Sequence, residues 1–102
     1  MHVAYLNQDP GVHAGRKKGA AVHVACMQAA LAELGARISP VEEQDDGAAR
    51  AALEWLHAHH GLDLVYERYA LSAEAGAQFA RASGVPLVLE VNAPLLEEAA
   101  AE

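Results

Sequence analysis

Residues 61–66 read Gly61-Leu62-Asp63-Leu64-Val65-Tyr66, a glycine followed by a short apolar run. The compact Leu/Val/Tyr content predicts a strand over 62–66, with Gly61 terminating the element before it. That element has helical spacing: Ala49, Ala52, Leu53 and Leu56 recur every three or four residues, with Asp46 as the expected N-cap. Beyond the strand, a helix is expected with Ser72 as its cap, running to Ser83 and closed by Gly84. A second apolar run, Leu87-Val88-Leu89-Glu90-Val91, then predicts another strand, and Pro94 is well placed in the first turn of a last helix. Working back toward the N-terminus, Arg37–Val41 is a weaker strand, which Pro40 pushes toward an edge or an early end. Ala20, Val24, Met27, Leu31 and Leu34 form one helical stripe, stopped by Gly35. Residues 8–19 hold three glycines and a proline and read as a loop, preceded by a first strand over His2–Asn7.

The order is therefore β-α-β-α-β-α-β-α. Alternation at this spacing predicts parallel strands joined by right-handed crossovers, with helices on both faces. The expectation is one α/β domain over residues 1–102, a Rossmann-like three-layer α/β/α unit with about four strands ordered 2-1-3-4. Both apolar runs are rich enough for strands covered on both faces. Such sheets bind ligands beyond the carboxyl ends of their strands, at the point where the order reverses. That point falls between the first and third strands, so residues 8–19, 67–71 and 92–94 share one rim.

Composition narrows the function classes. The chain has 102 residues, a formal charge of −7 and a hydrophobic fraction of 53%, of which 24 residues are alanine. Fourteen acidic against seven basic residues argue against nucleic-acid binding, because neutralising phosphates needs a basic surface. Cys26 is the only cysteine, so neither a disulfide framework nor a thiolate metal cluster is expected; its place in the helix reads as a small buried residue. No run of about 18 apolar residues occurs, and no charged-then-apolar leader. The default expectation is a soluble cytoplasmic protein without an integral membrane segment.

Several residues at the expected rim carry chemistry. Gly11, Gly15 and Gly19 have the spacing G-x3-G-x3-G, neither a dinucleotide fingerprint nor a phosphate loop. Gly19 ahead of Ala20 and Ala21 still opens a helix N-terminus, whose free N–H groups attract anions, and Arg16, Lys17 and Lys18 strengthen that field. The alternative is a flexible, solvated basic loop. His23 sits at the margin of the helical stripe, as a packing or surface residue unless a ligand recruits it. His57, His59 and His60 crowd a helix end, where histidine complements the dipole, and a metal role is not expected. Glu67-Arg68-Tyr69 directly follows the third strand and either binds a polar ligand or pairs internally. Glu90 and Asn92 end the fourth strand on one face, as a site pair or as structural hydrogen-bonders.

Three segments, Lys18-Gly19-Ala20-Ala21-Val22-His23-Val24, Asp63-Leu64-Val65-Tyr66-Glu67-Arg68-Tyr69, and Val85-Pro86-Leu87-Val88-Leu89-Glu90-Val91-Asn92-Ala93-Pro94, together point further. In this order and spacing they resemble the N-terminal domain of retaining glycosyltransferases of family 4, which have the two-domain GT-B fold. The resemblance covers nearly the whole chain. It implies a hexosyl-type transfer from a nucleotide-diphosphate sugar to an acceptor, with no metal and no further cofactor. It places Gly19, Ala20 and Ala21, with Lys18 and His23 beside them, at the donor diphosphate. Glu67, Arg68, Tyr69, Glu90 and Asn92 fall on the acceptor side. Where many members carry a histidine close to the reacting sugar, this sequence has Asn92, which donates and accepts hydrogen bonds but is no general acid or base. The family's donor-binding domain is not in this sequence, so the chain reads as an acceptor-side half that is inactive alone. The competing expectations are a stand-alone flavodoxin-like binding or regulatory module, and a fragment whose uncovered surface drives self-association.

Overall fold

Strand β1, His2–Asn7, is buried at every residue. It lies inside a four-stranded sheet with β2 (Arg37–Val41), β3 (Leu64–Arg68) and β4 (Leu87–Glu90), in the order β2-β1-β3-β4. All three pairings are parallel, with Ala4 opposite Ser39 and Val65, and Tyr66 opposite Val88. Helices α1 (Lys18–Glu33), α2 (Asp46–His60) and α3 (Ala75–Ser83) make the crossovers. This computed structural model describes residues 1–9 and 18–91, Lys18 by its backbone alone. Arg16, Lys17, Asn92 and the helix expected from Pro94 lie outside the described residues.

Side-chain alternation divides the layers. Ala4, Leu6, Val41 and Val65 pack with Ala49 and Leu53 of α2 and with Ala75 and Phe79 of α3 in one core. Val3, Tyr5 and Tyr66 project from the opposite face, on the side of α1, where Val24 is buried. The sequence reading of an all-parallel α/β sheet ordered 2-1-3-4 therefore holds, and β2 lies at the edge that Pro40 predicted.

Local differences arise from hydrogen bonding. Asp45, not Asp46, caps α2: its Oδ2 accepts from the Ala48 N–H at 2.9 Å. This frees Asp46 Oδ1 to accept from the backbone N–H groups of Glu74 and Ala75, each at 3.2 Å, and from Gln8 Nε2 at 3.1 Å. One carboxylate thereby joins the starts of α2 and α3 to the end of β1. It also serves the first turn of α3, which carries no side-chain cap of its own. Ser72 is in the left-handed region at φ 66 and does not cap the helix, which begins at Ala75.

Strand β3 is displaced two residues from the expected 62–66. Asp63 is held outside it by paired bonds to His2, the Asp63 N–H to the His2 carbonyl at 2.9 Å and the His2 N–H to Asp63 Oδ2 at 2.7 Å. Strand β4 is an edge, and Val88 and Leu89 are exposed rather than covered on both faces. Helix α1 starts earlier than expected, placing Gly19 inside it. Leu34 lies beyond the end of α1, next to Gly35 at φ 92, and is 85% exposed instead of completing the stripe. Cys26 is exposed, being off the face that carries Val24 and Met27.

Gly76 in the first turn of α3 marks the tightest contact in the core. A Cβ built there would collide with Glu67 Oε1 and lie 3.1 Å from Leu6 Cδ2. Alanine normally favours a helix over glycine by about 1 kcal/mol. Here Gly76→Ala is expected to destabilise by ~1–2 kcal/mol net, because the buried Glu67 carboxyl must move. Urea unfolding of Gly76→Ala, and of the same change with Glu67→Ala, checks this: the second background should recover the helix gain.

Candidate functional site

The carboxyl ends of β1, β3 and β4 gather most of the polar groups that the sequence singles out, but they do so on two faces. The displacement of β3 makes Glu67 and Arg68 its last two residues rather than part of a following loop. Consecutive strand residues point to opposite sides. Glu67 therefore lies against Gly76 of α3, while Tyr66 and Arg68 share the α1 side with Glu90. The expected set Glu67, Arg68, Tyr69 and Glu90 is not one constellation.

On the α1 side, Glu90 is the centre. Its Oε2 accepts from the Tyr66 hydroxyl at 2.6 Å, and its Oε1 lies 2.5 Å from His23 Nε2. His23 is in the second turn of α1, so this contact anchors the N-terminal half of the helix to the end of β4. A carboxylate only accepts, so the neutral ring that fits carries its proton on Nε2 and turns the Nδ1 lone pair elsewhere. The His23 side chain is 45% exposed and Glu90 14%, which leaves the imidazole open to the rim while its partner is shielded. The ring of Tyr5 stacks on Tyr66 with centroids 5.3 Å apart. Burial, and secondarily the Glu90 charge, push the Tyr5 phenol up to about 12, against a smaller opposing effect of Arg68. Tyr66 is pushed up as well, by burial first and then by its bond to Glu90. Both phenols therefore stay neutral at physiological pH; Tyr66 donates to Glu90, whereas the buried Tyr5 hydroxyl has no hydrogen-bond partner among the described residues.

Arg68 is committed internally. Its Nη1 donates to Asp9 Oδ2 at 2.9 Å, and both side chains are about nine-tenths buried. The Asp9 N–H in turn donates to Asn7 Oδ1 at 3.2 Å. Tyr69 reaches β4 through its backbone N–H, which donates to the Glu90 carbonyl at 2.9 Å. The first turn of α1 carries the backbone N–H groups of Lys18, Gly19, Ala20 and Ala21 near this rim, and nothing lies within 4 Å of the Cβ position at Gly19. Asn92 and the Lys18 side chain lie outside the described residues.

On the other face, the Glu67 carboxyl is buried at 4% residue exposure, and its value is pushed up to about 7 by burial and then by the Asp46 charge. Asp46 itself is held low, first by the Glu74 N–H and then by the Gln8 amide. Asp46 and Gln8 were not among the expected site residues. Their only sequence signal is a polar residue at each of two element ends, which does not reveal their mutual bond.

The histidine cluster is structural. The His57 Nδ1 accepts from the Leu62 N–H at 3.1 Å, and His59 stacks on Trp55 with centroids 4.5 Å apart. Among the described residues no group of three or more His, Cys, Asp or Glu side chains is arranged to hold a metal ion. No helix among them is long and apolar enough to cross a membrane.

Glu67 makes stability pH-dependent with a definite sign. Its folded value of about 7 exceeds the ordinary 4.5, so the native state holds the proton longer than the unfolded chain. The associated stability is complete below about pH 4.5 and is lost as pH rises to about 7, by ~1–3 kcal/mol. Glu67→Gln should abolish that slope, and urea midpoints of both proteins across this range measure it. Comparison with family models, curated protein sequences and solved structures returns no match, which leaves the geometry of the rim as the guide to its chemistry.

Proposed function

We propose that this chain is the acceptor-side, Rossmann-like half of a glycosyltransferase that moves a sugar from a nucleotide-diphosphate donor to an acceptor. The observation that carries the reading is the junction of α1 with β4. The opening turn of α1 and the His23–Glu90–Tyr66 chain meet at the carboxyl rim, beside the reversal of strand order between β1 and β3. A helix N-terminus attracts a diphosphate by its unpaired N–H groups and its dipole. An open position at Gly19 lets such a group approach the backbone closely.

In this reading the amides of Gly19, Ala20 and Ala21 receive the departing diphosphate. His23, oriented by Glu90, borders the reacting centre with its Nδ1 side, and Tyr69 and Glu90 flank the acceptor. Asn92, which lies two residues beyond the end of β4, is the remaining candidate for an acceptor hydroxyl contact. Glu67 and Arg68 shape the rim from within and do not touch the acceptor. Catalysis is then positioning of the two substrates and stabilisation of the leaving charge by fixed dipoles. The donor's base and sugar belong mainly to a second Rossmann-like domain, as in the family that the sequence resembles.

Titration of the isotopically labelled 102-residue chain with UDP and with GDP tests the reading. The amide resonances of Gly19, Ala20 and Ala21 and the His23 ring should move together, with a dissociation constant on the order of millimolar, equivalent to about −4 kcal/mol. Silence at those amides at saturating nucleotide would sink the proposal. The same chain alone should transfer no sugar from a UDP-sugar, as judged by release of UDP.

A further inference from the structure

A second concave surface lies at the other edge of the sheet, on the face covered by α2. It is a groove of about 360 Å³ between the carboxyl end of β2 and the middle of α2. Val41, Ala52 and Leu56 make its apolar floor, Pro40 and Trp55 its walls, and Glu42 and Glu43 its rim. We propose that this groove docks a basic, extended peptide segment of a partner protein, seating an arginine or lysine between the Trp55 indole and the Glu43 carboxylate. The proposal is independent of the transferase reading, because none of these residues belongs to the rim near α1.

Three observations carry it. Trp55 is 53% exposed although its chain neighbours Leu53 and Leu56 are packed into the core. The indole is also held in place: His59 stacks on it at 21°, His60 meets its edge at 5.4 Å, and His59 Nδ1 lies 2.9 Å from the Trp55 carbonyl. An aromatic surface fixed in this way binds without loss of its own rotamer freedom, and it suits a guanidinium better than any other charged group. The charged side chains that line the groove are both acidic. The lining includes no lysine or arginine, Glu43 stands beside Trp55 in it, and Arg50 of the same helix is paired with Glu54 at 2.9 Å.

The remaining features select a peptide of another protein as the occupant. Among the described residues strand β2 is an edge, so its outer side offers an extended chain a pairing surface along the groove, which Pro40 limits to part of the strand. A second copy of this chain is disfavoured, since each carries −7 and would bring acidic surface to an acidic groove. Nucleic acid is disfavoured for the same reason. A side chain with an apolar stem and a cationic head matches the floor and the rim together.

Trp55 is the sole tryptophan, so its emission reports on the groove directly. The probe is a blocked peptide of alternating valine and arginine, with a valine–glutamate peptide of equal length as its counterpart. The arginine peptide should shift the emission saturably, while the glutamate peptide should leave it unchanged. Glu43→Lys should weaken binding by on the order of tenfold. Glu33→Lys, the same charge change at the exposed end of α1, should stay within about twofold of the parent. Amide shifts confined to residues 41–43 and 52–56 would locate the contact without relying on fluorescence, and Trp55→Ser should abolish them. The proposal fails if the two lysine variants lose affinity equally, which signals general attraction to an acidic protein. It also fails if emission shows no saturable change up to about 5 mM peptide, a concentration at which even a −4 kcal/mol site is mostly filled. Concentration-dependent emission in the absence of peptide would assign the groove to self-association and overturn it as well.

Discussion

Along β3 successive side chains leave opposite faces of the sheet, so Tyr66 and Arg68 enter the layer beneath α1 while Val65 and Glu67 enter the layer beneath α2 and α3. The register that fixes this pattern runs along both neighbouring strands, and the His2–Asp63 pair holds the chain in it just before the strand begins. A slip of one residue would send Glu67 toward Glu90 and Arg68 into the Leu6–Phe79 core. The separation of the two polar clusters is thus a consequence of strand register.

The two clusters treat charge differently. On the α1 side, Arg68 and Asp9 neutralise each other inside the protein, and the exposed member of the remaining chain is a histidine. Loss of either ion-pair partner would strand a buried charge, which is far more destabilising than the pair is stabilising. On the other side, Asp46 concentrates three donors on one oxygen and is held low, while Glu67 is pressed to keep its proton first by burial and then by the Asp46 charge. A neutral Glu67 then fits the space that Gly76 leaves. Helix α3 owes its start to this arrangement, since it has no cap of its own and borrows the carboxylate that opens α2.

Much of the fold was legible because it rests on period and punctuation. Strand β1, strand β2 at an edge, the glycine stops at Gly61 and Gly84, and the order 2-1-3-4 all derive from apolar spacing and turn chemistry. The misplacements share a cause. Asp45 and Asp46 are both good caps, and Ser72 resembles one, but which aspartate caps α2 depends on Asp46 meeting Gln8 and the start of α3 from 28 residues away. Nothing local to either aspartate encodes that meeting. The same holds for the site: Glu90 and His23 each stood out alone, but their pairing spans 67 residues and is a product of the crossovers. The pairing of Arg68 with Asp9, 59 residues apart, was equally invisible.

Helix α1 is the most loosely held layer, and this bears on how the rim works. Val24 is the only buried side chain among the described side chains of α1, whereas α2 and α3 bury five residues between them. Elements with few buried apolar contacts open most readily. For α1 the His23–Glu90 contact is therefore a large part of what fixes the first half of the helix to the sheet, at a point one turn beyond its anion-attracting end. The Glu90–Tyr66 bond lies within the sheet, so the His23 contact ties α1 to a carboxylate that the strands already hold.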